Sequence, residues 1–184
     1  MELKDRNGMT EEEFLKSYNP DKYPKPALTA DMIVLRKMPD GSLRILLIRR
    51  GGHPFLGRWA LPGGFANKNE ATEQTAVREL EEETGLSGLE ISLVGFYSKP
   101  GRDPRGWTVS AAYTILLPEG TIEACAGDDA AEVSWVEVRT GENGTEICLP
   151  DGDRPAFDHA QIISDAVLCL LKKGLIPGKR PADA

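Results

Sequence analysis

Histidine and cysteine are scarce: the 184 residues include two of the former and three of the latter. Cys125, Cys148 and Cys169 are scattered, odd in number and form no CxxC pair. That excludes a disulfide framework and a cysteine zinc site, and it fits a reducing cytosol. His53 and His159 are too few and too separated to argue for a metal centre, and they read as surface or structural residues. No stretch approaches the ~18 uncharged apolar residues of a membrane helix. The longest apolar runs, such as Ile45-Leu46-Leu47-Ile48, are strand-sized. The N-terminal MELKDRNGMTEEEF is charged and lacks the apolar core of a signal peptide. The compartment expected is the cytoplasm, with no membrane partner.

Basic charge is also short. Lys and Arg number 22 against 29 Asp and Glu, a net charge of −7. Without a basic run, nucleic acid is not expected as a partner. An acidic protein still binds anionic substrates where metal ions or a few placed arginines mediate.

What is present is ordinary for one soluble domain. Apolar residues are 40% and charged residues 28%, and the length allows one good core. Thr10-Glu11-Glu12-Glu13 is a capping box, followed at helical spacing by Phe14, Leu15 and Tyr18. Pro20, Pro24 and Pro26 then break the helix, so residues 1–26 form an arm that packs across the domain or a partner subunit. Strands are expected over Ala27–Arg36 and Leu43–Arg49, joined at Pro39-Asp40-Gly41. Further strands are expected over Leu89–Tyr97, Trp107–Leu117 and Glu132–Val138. Helices are expected over Ala71–Thr84, with Asn69 as N-cap and Gly85 just past its end, and over Phe157–Lys173, with Asp158 as a cap. Residues 27–174 read as one mixed α/β domain and 175–184 as a flexible tail.

The informative segment runs from Gly64 to Leu86, GFANKNEATEQTAVRELEEETGL. At about 100° per residue, with Val77 as zero, Glu79 falls at ~200°, Glu82 at ~140° and Glu83 at ~240°. These carboxylates share one face, while Val77, Leu80 and Thr84 lie opposite and can enter a core. Glu81 stands apart. Three carboxylates within one turn repel one another unless cations or solvent intervene. Hard oxygen ligands in this number suit Mg²⁺ or Mn²⁺, with a carbonyl of the Gly63-Gly64 turn as a further donor. The bland alternative is a solvated glutamate-rich surface. Glu70 and Arg78 are eight apart and meet only if the preceding loop folds back.

The segment resembles the Nudix box, G-x5-E-x7-R-E-U-x-E-E-x-G-U with U apolar. Every specified position is filled, by Gly64, Glu70, Arg78, Glu79, Leu80, Glu82, Glu83, Gly85 and Leu86. At ordinary residue frequencies a chance match has odds of roughly one in a million. The resemblance implies a Nudix-type α/β/α sandwich with a mixed sheet. It also implies divalent-metal-dependent hydrolysis of a nucleoside diphosphate linked to a second group. By position, Glu79, Glu82 and Glu83 would be metal carboxylates and the Gly63 carbonyl a further ligand. Glu70 and Arg78 would be a structural pair.

RRGGHPFLGRWALPGGF, SKPGRDPRGWTVSAAY, AGDDAAEVSWVEV and AFDHAQIISDAV together are similar to the ADP-ribose pyrophosphatase branch. That implies ADP-ribose and water as substrates, AMP and ribose 5-phosphate as products, and a homodimer. Arg49, Arg50, Arg102 and Arg105 are candidates for phosphate contacts, with ordinary surface arginine as the alternative. Phe55, Tyr97 and Trp107 are candidates for stacking on adenine, with core packing the favoured alternative. The general base is expected in the box, at Glu79, or in a later loop, at Asp128, Asp129 or Glu132, with Glu132 ranked first among these.

Two other readings stay open. The same domain occurs in a family of NAD-metabolism regulators, which implies a ligand-sensing module without turnover. Only about thirty residues follow Pro150, short of the winged helix those regulators carry. A different substrate is the other reading: NADH, a sugar nucleotide, a dinucleoside polyphosphate or an oxidised nucleotide.

Overall fold

A computed structural model describes residues 2–118, 130–141, 144–150 and 152–176. Cys125, Asp128, Asp129 and residues 177–184 of the expected tail lie outside them.

The elements follow in the order α1 (Glu11–Ser17), β1 (Ala27–Lys37), β2 (Leu43–Arg50), β3 (Trp59–Ala60), β4 (Gly63–Phe65) and α2 (Thr72–Thr84). They continue with β5 (Ser92–Tyr97), β6 (Thr108–Leu117), β7 (Ala130–Gly141), β8 (Gly144–Cys148) and α3 (His159–Lys172). The sheet order is β5-β6-β1-β2-β7-β8, with β3 on β2 and β4 on β1. Strands β1 and β6 pair in parallel, and their other neighbours run antiparallel.

Strand β1 divides its second edge between two neighbours. Its end, Leu35–Lys37, pairs with Leu43–Ile45 of β2. Its start, Thr29–Asp31, pairs instead with Gly63–Phe65 of β4. The sheet therefore forks, and the β3–β4 segment fills the fork, tied by Met32 N–H donating to the Pro62 carbonyl at 2.8 Å.

Strand periodicity sends alternate β1 residues to opposite layers. Ile33 and Leu35 meet Ile162, Ile163, Ala166, Val167 and Leu170 of α3. Met32 and Val34 meet Ala76 and Leu80 of α2. Both sheet faces are covered, which is the α/β/α arrangement.

Several local expectations need correction. Asn69 does not cap α2; it takes a left-handed backbone, φ 65°, in the preceding turn. Ala71 occupies the cap position, and its N–H is met by the Gln74 side chain at 3.1 Å. Val77 is only half-buried; the buried residues of α2 are Thr75, Ala76, Leu80, Glu83 and Thr84. The stripe is centred nearer Leu80 than Val77, because β1 and β4 approach from that side. Helix α3 starts at His159 rather than Phe157, whose φ of 53° cannot continue a helix. Asp158 stands at the cap position, where its carbonyl accepts the Gln161 and Ile162 N–H groups, but its side chain makes no cap hydrogen bond. Strand β5 begins later than expected, β7 is longer, and β8 carried no clear alternation in the sequence. Trp107 is not a core residue, being 57% exposed. The Thr10–Glu13 capping box is present, yet α1 buries none of its own residues.

Candidate active site

Helix α2 grades its carboxylates by depth. Glu83 is buried, Glu79 half-buried and Glu82 exposed. The grading follows from their angles to the buried stripe. Glu83 Oε2 accepts the Gly63 N–H at 2.8 Å, fastening the helix to β4. Glu79 lies against Gly64 so closely that any Cβ there would fall on its carboxylate. A Cβ on Gly63, at φ 153°, would strike the Ala30 carbonyl. Neither glycine can be replaced without moving a strand or a carboxylate.

Arg78 is the hub between helix and loop. Its Nε donates to Glu70 Oε1 at 2.8 Å and its NH2 group to Glu70 Oε2 at 3.1 Å and the Phe65 carbonyl at 3.1 Å. Its NH1 group donates to Glu79 Oε1 at 2.7 Å and Glu82 Oε2 at 2.9 Å. Thr75 Oγ1 and Asn67 N–H also donate to Glu70. Arg78 first, then the Asn67 amide, hold the Glu70 carboxyl down at about 2. Burial pushes the Glu79 carboxyl up, against Arg78, which pulls it down.

Beside these groups lies a cleft of about 580 Å³, lined by Arg50, Gly63, Gly64, Arg78, Glu79 and Glu83 among others. Glu82 is not on its wall and is turned onto Arg78. Among the described residues, no group of three Asp, Glu, His or Cys stands gathered as a metal site.

A smaller chamber of about 70 Å³ adjoins the cleft and shares Arg50, Gly63, Gly64 and Phe65 with it. Its other walls include Asp31, Arg102, Asp103, Arg105 and His159. Arg102 is nearly fully buried and grips Asp158 through two bonds of 2.9 and 2.7 Å. Arg105 pairs with Asp103 at 2.7 Å and lies over the Phe65 ring at 4.7 Å. Arg50 donates to the Pro54 carbonyl at 2.7 Å and lies over the Phe157 ring at 5.0 Å. Burial lowers the Arg50 guanidinium pKa, and repulsion from Arg105 adds to that.

The buried His159 Nδ1 accepts the Leu61 N–H at 2.9 Å, leaving Nε2, which faces Asp31 Oδ1 at 3.7 Å, to carry the proton. Burial lowers the His159 pKa. Ser110 Oγ donates to Asp31 Oδ2 at 2.5 Å.

The remaining sequence candidates stand elsewhere. Arg49 donates to the Gly57 carbonyl and faces Glu132 at 3.4 Å, and neither residue lines the cleft or the chamber. Phe55 packs edge-on against Phe157, with ring centroids 4.7 Å apart, beside a shallower groove. Tyr97 packs on the core and donates to Asp165 at 2.9 Å. Gly85 ends α2 in the left-handed conformation. Sequence reasoning missed Asp31, Asp103 and Phe157. Asp31 did leave a signal, a lone charge inside the apolar run of β1. Phe157 left none.

Residues 25–154 match the model of the NUDIX domain. The chain is 40% identical over 143 residues to an ADP-ribose pyrophosphatase of Methanocaldococcus jannaschii, covering 78% of this chain and 74% of that protein. It is 37% identical over 169 residues to an ADPR responsive transcriptional repressor, NtrR, of Acinetobacter baylyi, covering 91% of this chain and 63% of the repressor. Among solved structures it superposes on a MutT/nudix family protein from Enterococcus faecalis with a TM-score of 0.80 and 37% identity, over 91% of this chain and 71% of that one. It also superposes on the NUDIX domain of Shewanella oneidensis NrtR, cocrystallised with ADP ribose, with a TM-score of 0.73 and 34% identity, over 88% and 99% of the two chains. The family model spans most of the chain and includes the whole glycine–glutamate–arginine segment that walls the cleft, so the chain belongs to the NUDIX domain family.

Proposed function

We propose that this chain hydrolyses the pyrophosphate bond of ADP-ribose, releasing AMP and ribose 5-phosphate. The observation that carries the reading is the one cleft lined together by Glu79, Glu83 and Arg50. Acid groups that can recruit cations and a half-buried guanidinium suit a pyrophosphate spanning the space between them. The 40% identity to a named ADP-ribose pyrophosphatase supports the choice of substrate.

The donors in reach are hard oxygens, which fit Mg²⁺ or Mn²⁺. Glu79, Glu82, Glu83 and the Gly63 carbonyl would hold the metal, with Glu82 exchanging its bond to Arg78 for that role. When bound, the metal offsets charge on the phosphate oxygens and lowers the pKa of an attacking water. Of the two carboxylates that line the cleft, Glu83 already accepts the Gly63 N–H, and Glu79 is the one assigned to take the water's proton. Glu132 ranks below it, being paired with Arg49 outside the cleft wall. Gly64 admits the Glu79 carboxylate, and Arg78 with Glu70 ties down the end of β4 at Phe65 and the turn at Asn67.

The reading takes residues 27–174 as the enzyme unit, working in the cytoplasm as a homodimer to which the arm of residues 1–26 contributes. Light scattering returning a monomer would refute the dimer. The test of function is the purified chain with Mg²⁺ and a panel of ADP-ribose, NADH, sugar nucleotides and dinucleoside polyphosphates. ADP-ribose leading, with AMP and ribose 5-phosphate as products, supports the proposal. Another substrate leading would keep the chemistry and overturn the substrate.

A second reading has its own support. The match to the repressor covers 91% of this chain. Tight binding of ADP-ribose without turnover would favour a sensing module over the enzyme.

A further inference from the structure

Phe157 holds an unusual conformation for a bulky residue. Its φ is 53°, a left-handed backbone that side chains with a Cβ adopt rarely and that persists where surroundings enforce it. The enforcing interactions are visible. Ala156, its fully buried neighbour, donates its N–H to the Trp59 carbonyl at 2.7 Å. On the other side, Asp158 is clasped by Arg102.

The strained backbone places the Phe157 ring within cation–π reach of two guanidiniums. Arg50 lies 5.0 Å from the ring centroid and Arg105 lies 5.6 Å from it. The two like charges repel each other, and an aromatic face is the neutral surface that attracts both. The three arginines that line the chamber are not equivalent. Arg102 is bound bidentately by Asp158 and buried, so it serves as a strut. Arg105 is paired with Asp103 on one edge only and keeps 40% of its side chain exposed. Arg50 has no carboxylate within salt-bridge distance among the described residues, and it lines both cleft and chamber.

We propose that Phe157 is a positioning residue that sets Arg50 and Arg105 as a paired clamp for a pyrophosphate group. The ligand class is the pyrophosphate of a nucleoside diphosphate derivative. The inference rests on the proposed function for its substrate, yet the clamp can be read separately with inorganic pyrophosphate as the probe. The adjacent residues Phe157, Asp158 and His159 divide the work. The first aims Arg50 and shares the aiming of Arg105 with the Phe65 ring at 4.7 Å, the second removes a third from play, and the third anchors the strand segment entering Gly63.

The experiment uses the full chain, as wild type and as Phe157→Leu and Phe157→Tyr. Leucine fills much of the space without an aromatic face; tyrosine keeps the face. Two readouts are taken: steady-state ADP-ribose hydrolysis with Mg²⁺, and calorimetric binding of inorganic pyrophosphate with Mg²⁺. Phe157→Leu is expected to raise KM and the pyrophosphate Kd about tenfold, the scale of one cation–π interaction at a partly desolvated site. The kcat should stay within about threefold, and Phe157→Tyr should restore both constants. A leucine variant with unchanged KM and Kd overturns the clamp, as does a tyrosine variant that fails to rescue. A uniform fall in kcat and thermal stability, with KM unmoved, reduces Phe157 to a packing residue and also overturns it. No binding of pyrophosphate by the wild type overturns it directly. Wild type that binds pyrophosphate but does not hydrolyse ADP-ribose sinks the enzyme reading alone, and the Kd comparison still decides the clamp.

Discussion

Gly64 and Glu79 share one space: the hydrogen on the Gly64 Cα faces the Glu79 carboxylate, and a methyl group there would overlap it. Gly64→Ala should therefore displace the carboxylate rather than unfold the domain. Misplacing a reacting group by about 1 Å can cost on the order of 10² in rate. The expected result is a drop of that size in kcat/KM with a nearly unchanged melting temperature. Retention of full activity would show that Glu79 does not act from this position.

Glu83 joins two roles, as the carboxylate beside the cleft and as acceptor for the Gly63 N–H. Glu83→Gln keeps an amide oxygen for that N–H and removes the charge. The fold should survive while metal-dependent turnover falls by two orders of magnitude or more. A circular-dichroism melt and an Mg²⁺ titration of rate check both halves, and near-normal activity would sink the ligand assignment.

The Glu70–Arg78 pair makes stability depend on acid. The Glu70 carboxyl is held at about 2, below its ordinary 4.5, chiefly by Arg78. Folded protein thus binds the proton less readily than unfolded chain. The pair's stabilisation is complete above about pH 5 and disappears as pH falls from there towards 2. Glu70→Gln should melt below wild type at pH 7, and the difference should close at acid pH. Parallel melting curves at every pH would contradict the pairing.

His159 gives a second window. Burial lowers its pKa below the ordinary 6.5, so the folded state again binds fewer protons. Its contribution is full above about pH 6.5 and fades as pH falls below that value. Asparagine can offer Oδ1 to the Leu61 N–H in place of Nδ1 without gaining a proton. His159→Asn should flatten the thermal-stability profile between pH 7 and pH 5, measured by differential scanning calorimetry. An equally steep profile in the variant would assign the dependence to other groups.

Local patterns were legible because they depend on neighbours in the chain. The Thr10–Glu13 box, the β1–β2 hairpin and the helix Thr72–Thr84 with its ordered glutamates are all set by periodicity, capping and turn chemistry. The angles of Glu79, Glu82 and Glu83 came from helix geometry alone. Which of them is buried did not, because that depends on where β4 and β1 approach. The same limit hid the fork in β1, whose two partners differ by a register the sequence does not mark.

The amino-acid sequence by itself determined the family segment, its carboxylate face and the mixed α/β class. Tertiary structure alone decided which arginine is a strut and which faces the cleft. Arg102 meets Asp158 across 56 residues, and His159 meets Leu61 across 98. Such pairings exist only once both sheet faces are covered and the start of α3 is brought over the fork. A left-handed Phe157 belongs to the same class: no local preference favours it, and only the packing around it holds it there.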